Sequence, residues 1–291
     1  MKIAFLWDGI SLNRNWKDGL WLALQHLKEN HEVRGFEPYE EEAIHGFRPD
    51  VILYWGALTE KYKPQVVSYP YKKAICFAGG PIEPTNVDGF DLYFTESDIN
   101  EREFTGFGKP WMRAFGINEQ IFKPLSLIKQ YDAIFFGAHA LWKRNDLFAK
   151  AVGPKGVSIG QFQEHEKECY EIPEKEGCKV LEKVGKEILV EYINQSHTAL
   201  NTASFWGGGQ RMTLEAMACN VPPIVMKDSP KNCEYVEDSG IGLVVTPDIY
   251  AIREAIEKIK LSPNLAGREY ILSKYTGKHY AVALERGLKQ L

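Results

Sequence analysis

Asn201-Thr202-Ala203-Ser204-Phe205-Trp206-Gly207-Gly208-Gly209-Gln210-Arg211-Met212-Thr213-Leu214-Glu215-Ala216-Met217-Ala218-Cys219-Asn220 runs from the end of an apolar strand through a glycine turn into a helix. A second apolar strand, Pro222-Pro223-Ile224-Val225-Met226, follows at once. Strand, helix and strand in that order make a parallel βαβ unit. Gly207, Gly208 and Gly209 leave the backbone free to take φ > 0 and to bring N–H groups close to a ligand. Met212 to Cys219 are good helix formers, so the turn delivers a helix N-terminus, where unsatisfied N–H groups and the dipole favour a phosphate. Glu215 lies near enough to that start to accept hydrogen bonds from the ribose of the same nucleotide. The stretch reads as a nucleotide pocket. A triple glycine by itself reads equally well as a flexible loop, so the rest of the chain has to decide.

Outward from there the pattern repeats. Lys2 to Trp7 is a compact apolar strand, and Lys17 to Glu29 carries Leu20, Leu24 and Leu27 at helical spacing. Val51-Ile52-Leu53-Tyr54-Trp55, Lys73 to Ala78 and Asp91 to Thr95 read as further strands. The alternation restarts at Ala133 to Gly137 and continues through Lys155 to Gly160, Thr198 to Asn201, Ile224 to Met226 and Gly242 to Val245. The fold class is therefore α/β, with two doubly wound parallel sheets. The expected domains are 1–124 and 125–291, joined near Phe122-Lys123-Pro124-Leu125-Ser126, with the last helix packing back towards the first domain. Residues 161–187, rich in Glu and Lys with no clear strand before Lys179-Val180-Leu181, read as a solvated excursion.

Composition narrows the class. The chain has 291 residues, 44% hydrophobic and 25% charged, which suits a soluble globular protein of two domains. No apolar run approaches the ~18 residues of a membrane span, and the N-terminus lacks the small-residue cleavage site of a signal peptide. Five cysteines without a Cys-x-x-Cys pair argue for reduced thiols in the cytoplasm and against a structural zinc site. Residues 1–125 hold 14 Lys and Arg against 18 Asp and Glu, and the remainder 21 against 21, so no strongly basic nucleic-acid face is visible.

Four segments, in order, resemble one family. Arg113-Ala114-Phe115-Gly116-Ile117-Asn118-Glu119-Gln120-Ile121-Phe122-Lys123-Pro124 is similar to a linker of the form "pNGvD…F.P". Ala133-Ile134-Phe135-Phe136-Gly137-Ala138-His139-Ala140-Leu141-Trp142-Lys143-Arg144-Asn145-Asp146-Leu147 is similar to "f.GR….KG.dlL". The stretch from Asn201 through Ser239-Gly240-Ile241-Gly242-Leu243-Val244-Val245 to Pro247 resembles a donor-site half, and Lys274-Tyr275-Thr276-Gly277-Lys278-His279-Tyr280 the start of a last helix. Together they resemble family 4 retaining glycosyltransferases of the two-Rossmann-domain (GT-B) type. The resemblance covers residues 90–291 well and the first ninety poorly. It implies two facing Rossmann-like domains, the second holding a nucleotide-sugar donor, most readily a UDP-sugar, and the first an acceptor hydroxyl.

The site residues follow position by position. Lys143 matches the family's phosphate lysine and would neutralise charge growing on the leaving nucleoside diphosphate; a lysine at a helix start also reads as plain surface, though the helix dipole disfavours it there. Lys143, Arg211 and Glu215 are assigned to catalysis, and Gly207, Gly208, Gly209, Gln210 and Thr213 to substrate binding. His139 is assigned as a donor near the sugar. On the acceptor side the candidates are Asp8 and Gly9, Gly79 and Gly80, and Glu83, each of which reads equally as an ordinary turn. Neither a metal nor a cofactor is expected, because no Asp-x-Asp pair stands at a strand end; Asp88-Gly89-Phe90-Asp91 has the wrong spacing.

The chain also departs from the family. Ala138 replaces the usual arginine, and Gly207 stands where the first of two glutamates eight residues apart belongs, Glu215 being the second. Arg211 is the better candidate to replace the lost cation, since a guanidinium fork suits phosphate oxygens. The histidine often found in the first domain is missing from Tyr54-Trp55-Gly56 and Phe77-Ala78-Gly79-Gly80. These departures keep alternatives open: a nucleotide-sugar-binding protein with weakened turnover, a nucleotide-sugar epimerase, and transfer to a hydroxylated DNA base as in phage enzymes. The acceptor classes considered are glycan, lipid-linked, small molecule and, less favoured, DNA.

Overall fold

Apolar runs of four to six residues separated by amphipathic segments fold here as two parallel α/β units. The structure, a computed structural model, describes residues 1–8, 17–56, 61–77, 88–99, 105–161, 167–204 and 210–291. One unit comprises Met1–Asn118 with Tyr275–Leu291, the other Glu119–Lys274. In the first, β1 (Lys2–Leu6), β2 (Glu32–Phe36), β3 (Val51–Gly56), β4 (Lys72–Phe77), β5 (Leu92–Thr95) and β6 (Trp111–Arg113) lie in the order β2-β1-β3-β4-β5-β6, every pair parallel. Alternate residues of a strand face opposite ways. Ala4, Leu6, Ile52, Tyr54, Ile75 and Phe77 accordingly form one buried cluster with Ile44, Phe47 and Val66 from the helices Glu41–Phe47 and Lys63–Ser68.

The opposite face of this sheet is covered from both ends of the chain. The helix Gly19–Leu27 packs on the helix Gly277–Leu288. A Cβ at Gly277 would stand 2.4 Å from Leu22 Cγ, and one at Gly287 2.6 Å from the Phe94 ring, so these helices approach their neighbours more closely than a side chain would allow. His31 Nε2 meets Glu285 Oε1 at 3.0 Å beside them.

The second unit contains β7 (Tyr131–Phe136), β8 (Gly156–Ile159), β9 (Lys179–Leu181), β10 (Ser196–Asn201), β11 (Pro223–Met226) and β12 (Leu243–Val245). Their order is β12-β11-β10-β7-β8-β9, again all parallel. Renumbered within the unit this is 3-2-1-4-5-6, the order of nucleotide-binding sheets. Some elements differ from the sequence reading. Part of the solvated excursion is a helix, Lys167–Lys175, which buries Cys169 and Pro173 and links Glu171 to Lys167 and Lys175 one turn away on either side. Its Pro173 and its dense charge hid the helical signal. β2 was missed because an edge strand that buries only Val33 and Phe36 offers too little apolar pattern.

Candidate functional site

A doubly wound sheet binds ligands beyond the carboxyl ends of its strands, where the winding reverses. In the second unit that point lies between β7 and β10. β7 ends at Phe136, and the chain leaves it through Gly137, whose φ of 147° needs a glycine. The turn is tightly drawn: a Cβ at Gly160, beyond β8, would stand 1.6 Å from Gly137 O. Leu141–Lys143 then makes one 3₁₀ turn, and Arg144, at φ 50° and ψ 50°, starts the helix Asn145–Val152. Lys143 thus sits on the lip formed by β7, with the preceding Leu141 and Trp142 exposed.

His139 lies on the same turn but points inward. Its side chain is wholly buried, Nε2 shares a 2.7 Å hydrogen bond with Ser158 Oγ, and the ring packs beside Phe135. The sequence reading made it a donor near the sugar; the structure makes it a support for the turn, aided by the bond from its backbone N–H to Gln161 O. Burial pushes its pKa down to about 4, so the folded protein keeps the ring neutral. The unfolded chain takes up that proton below an ordinary pKa near 6.5, the folded chain only near 4, so stability is lost as pH falls through this window. Melting followed from pH 7 to pH 5 should show a decline of up to about 1.4 kcal/mol per pH unit from this group. His139→Asn should flatten that decline, and an unchanged slope would refute the assignment.

The opposite lip is built by β10. Asn201, at its last position, donates to Thr213 Oγ1 at 3.1 Å and to Asn232 Oδ1 at 3.0 Å, and Asn232 donates to Ser229 Oγ at 2.8 Å. This buried polar network joins the end of β10 to the helices Gln210–Ala218 and Pro230–Ser239. Thr213, assigned from sequence to substrate binding, is enclosed in that network and supports the lip from behind. Arg211 occupies the first turn of the helix and is half-buried. Glu215 is buried one turn further on, with Oε1 3.6 Å from Lys186 Nζ, and the same ammonium lies 5.1 Å from the centre of the Phe122 ring. Gly207, Gly208 and Gly209 lie outside the described residues, as does the side chain of Gln210.

The largest contribution that the sequence reading missed is Arg144. Its guanidinium donates from Nε to Thr202 O at 2.7 Å and from Nη2 to Ala203 O at 3.0 Å. The same fork grips Asp228 with both Nη atoms, at 2.7 and 2.8 Å. In return Thr202 Oγ1 donates to Lys143 O at 2.6 Å, and Ser204 N to Trp142 O at 2.8 Å. The loops after β7, β10 and β11 are therefore sewn together at the winding reversal.

In the first unit the reversal falls between β1 and β3. Trp7 and Trp55, just past and at the ends of these strands, meet edge to face with ring centres 5.4 Å apart. Asp8 is exposed beside Trp7. Gly9, Gly79, Gly80 and Glu83 lie outside the described residues. Among the described residues no three His, Cys, Asp or Glu side chains gather into a metal-ligating group, and no helix is long and apolar enough to cross a membrane.

Comparisons with known proteins agree with this geometry. A family model described as glycosyl transferases group 1 matches residues 125–271. Sucrose-phosphate synthase from Thermosynechococcus elongatus is similar in structure at 13% identity and a TM-score of 0.78, with 100% of this chain and 98% of that one covered. HepE from Anabaena, solved in complex with UDP and glucose, is similar at 13% identity and 0.76, with 100% of both chains covered. AviGT4, a glycosyltransferase involved in avilamycin A biosynthesis, is similar at 15% identity and 0.70, with 100% and 98% covered. At such identities the likeness is one of fold. No curated protein matches the chain.

Proposed function

The chain belongs to the glycosyl transferases group 1 family, and from that premise we propose that it transfers a sugar from a UDP-sugar to a hydroxyl acceptor, with retention of configuration and without a metal. The observation that carries this reading is the pair of lips at the winding reversal of the second unit, with Lys143 on one and Arg211 and Glu215 on the other. UDP is favoured over other nucleotides because HepE, which shares the fold, was solved with UDP and with UDP-glucose.

In this mechanism Glu215 accepts hydrogen bonds from the ribose hydroxyls, and its neighbour Lys186 keeps a cation beside the carboxylate. Lys143 and Arg211 meet the β-phosphate. As the bond from the sugar's anomeric carbon to the phosphate oxygen breaks, their charge stabilises the negative charge that accumulates on the diphosphate, and they act chiefly in the transition state. The acceptor oxygen bonds to the same face of the anomeric carbon, and its proton passes to the departing phosphate oxygen. No protein nucleophile is needed, which suits a chain without the first-domain histidine. Asp8 and the Trp7–Trp55 pair are the acceptor-side candidates. The five cysteines, all buried thiols, favour a cytoplasmic setting.

Incubation with a panel of nucleotide sugars, followed by mass spectrometry of the released nucleotide, tests the proposal. Slow release of UDP from one UDP-sugar is expected, equal with and without EDTA. Absence of release from every donor would overturn the reading. Loss of turnover in EDTA, restored by manganese, would overturn its metal-independent part.

A further inference from the structure

Arg144 combines two properties that rarely coincide. Its backbone is left-handed, at φ 50° and ψ 50°, a conformation that costs a non-glycine residue energy and that glycine adopts freely. Its side chain, at the same time, makes four hydrogen bonds to two other loops, two to the carbonyls of Thr202 and Ala203 and two to the Asp228 carboxylate. A backbone turn alone would be served better by glycine, so the side chain is what the strained position is kept for. Resting on the functional reading above, we propose that Arg144 is a positioning residue for the transfer reaction: its fork sets the distance between Lys143 and the residues that lead into the glycine run.

The connections run in both directions. Arg144 follows Lys143 directly, and Lys143 O is itself held by Thr202 Oγ1. Thr202, Ala203 and Ser204 are the described residues that precede Phe205-Trp206-Gly207-Gly208-Gly209 in the chain, and the fork holds the carbonyls of the first two. Asp228, on the loop after β11, holds the guanidinium in plane and neutralises it. The fork therefore carries geometry rather than charge to the site. A lysine at 144 would keep the charge but could not bridge two carbonyls and a carboxylate at once.

Arg144→Gly separates these functions, because glycine takes the left-handed turn without strain while removing the fork. In the nucleotide-sugar hydrolysis assay the variant should lose about 10- to 100-fold in kcat, as small misplacements of reacting groups do. KM for the donor should change less than about threefold, and the melting temperature should stay within a few degrees of wild type. Arg144→Lys should recover less than half of the loss on a logarithmic scale. Asp228→Asn should lower kcat less than Arg144→Gly, and the double variant should be no worse than Arg144→Gly alone, since both changes break one linkage. Wild-type kcat in Arg144→Gly, full recovery in Arg144→Lys, or a loss that tracks a fall in folded fraction would overturn the inference. An inert wild-type protein would instead overturn the functional reading on which it rests.

Discussion

Lys143→Ala should lower kcat/KM by about 10²- to 10³-fold, the effect of removing one preorganised transition-state donor. The turn itself should survive, because Lys143 is held through its carbonyl by Thr202 and through its amide by Ala140 O, neither of which depends on the ammonium. Arg211→Ala should act in the same direction. A cation in the first turn of a helix opposes the dipole, so its removal costs the helix nothing by that route. The effects of the two changes should be less than additive, as one remaining cation can shift towards the shared phosphate. Kinetics and thermal melts on both single variants and the double variant decide this. A stable and fully active Arg211→Ala protein would leave Ala138 uncompensated and turn the balance towards a binding protein.

Glu215→Ala should weaken nucleotide binding by about 1.5–3 kcal/mol, the usual loss for a charge-assisted hydrogen bond. Calorimetry with UDP and GDP gives the measurement directly. Both nucleotides carry the same ribose, so both should weaken together, and unchanged affinity for either would end the ribose assignment. The change also removes the carboxylate partner of Lys186 at 3.6 Å, so Lys186→Met is the useful control. If Glu215 contacts the ribose itself, Lys186→Met should weaken binding less than Glu215→Ala.

The sequence made the sheets legible where strands are buried on both faces. β3 and the carboxyl-terminal halves of β4 and β7, Ala74–Phe77 and Ala133–Phe136, read as unbroken apolar runs because helices cover both sides of a parallel sheet. It was silent where burial is partial: at the edges of their sheet, β2 buries only two of its five residues and the three-residue β6 fully buries none. Around the candidate site, the places of Lys143 and Glu215 in the fold could be read because a motif fixes them relative to strand ends. The inward turn of His139 could not, since it depends on Ser158 in a different strand and on the space left by Gly160. The sequence hides the part played by Arg144 for a related reason. Its partners are two backbone carbonyls, which any sequence would supply, and one aspartate 84 residues away. The one signal available was an arginine where the resembled motif has glycine after the phosphate lysine.

The helix Gly277–Leu288, which covers the first unit, is translated after every residue of the second unit. A ribosome making this protein therefore releases every residue of the second unit before the first sheet receives its final cover. The helix Gly19–Leu27 and the strand residue Phe94 wait meanwhile with the surfaces that Gly277 and Gly287 will fill still open to water. Domains of a nascent chain usually mature in the order they emerge. Here the connectivity reverses that order: the second unit can ripen first, and the first unit becomes a finished object only after it.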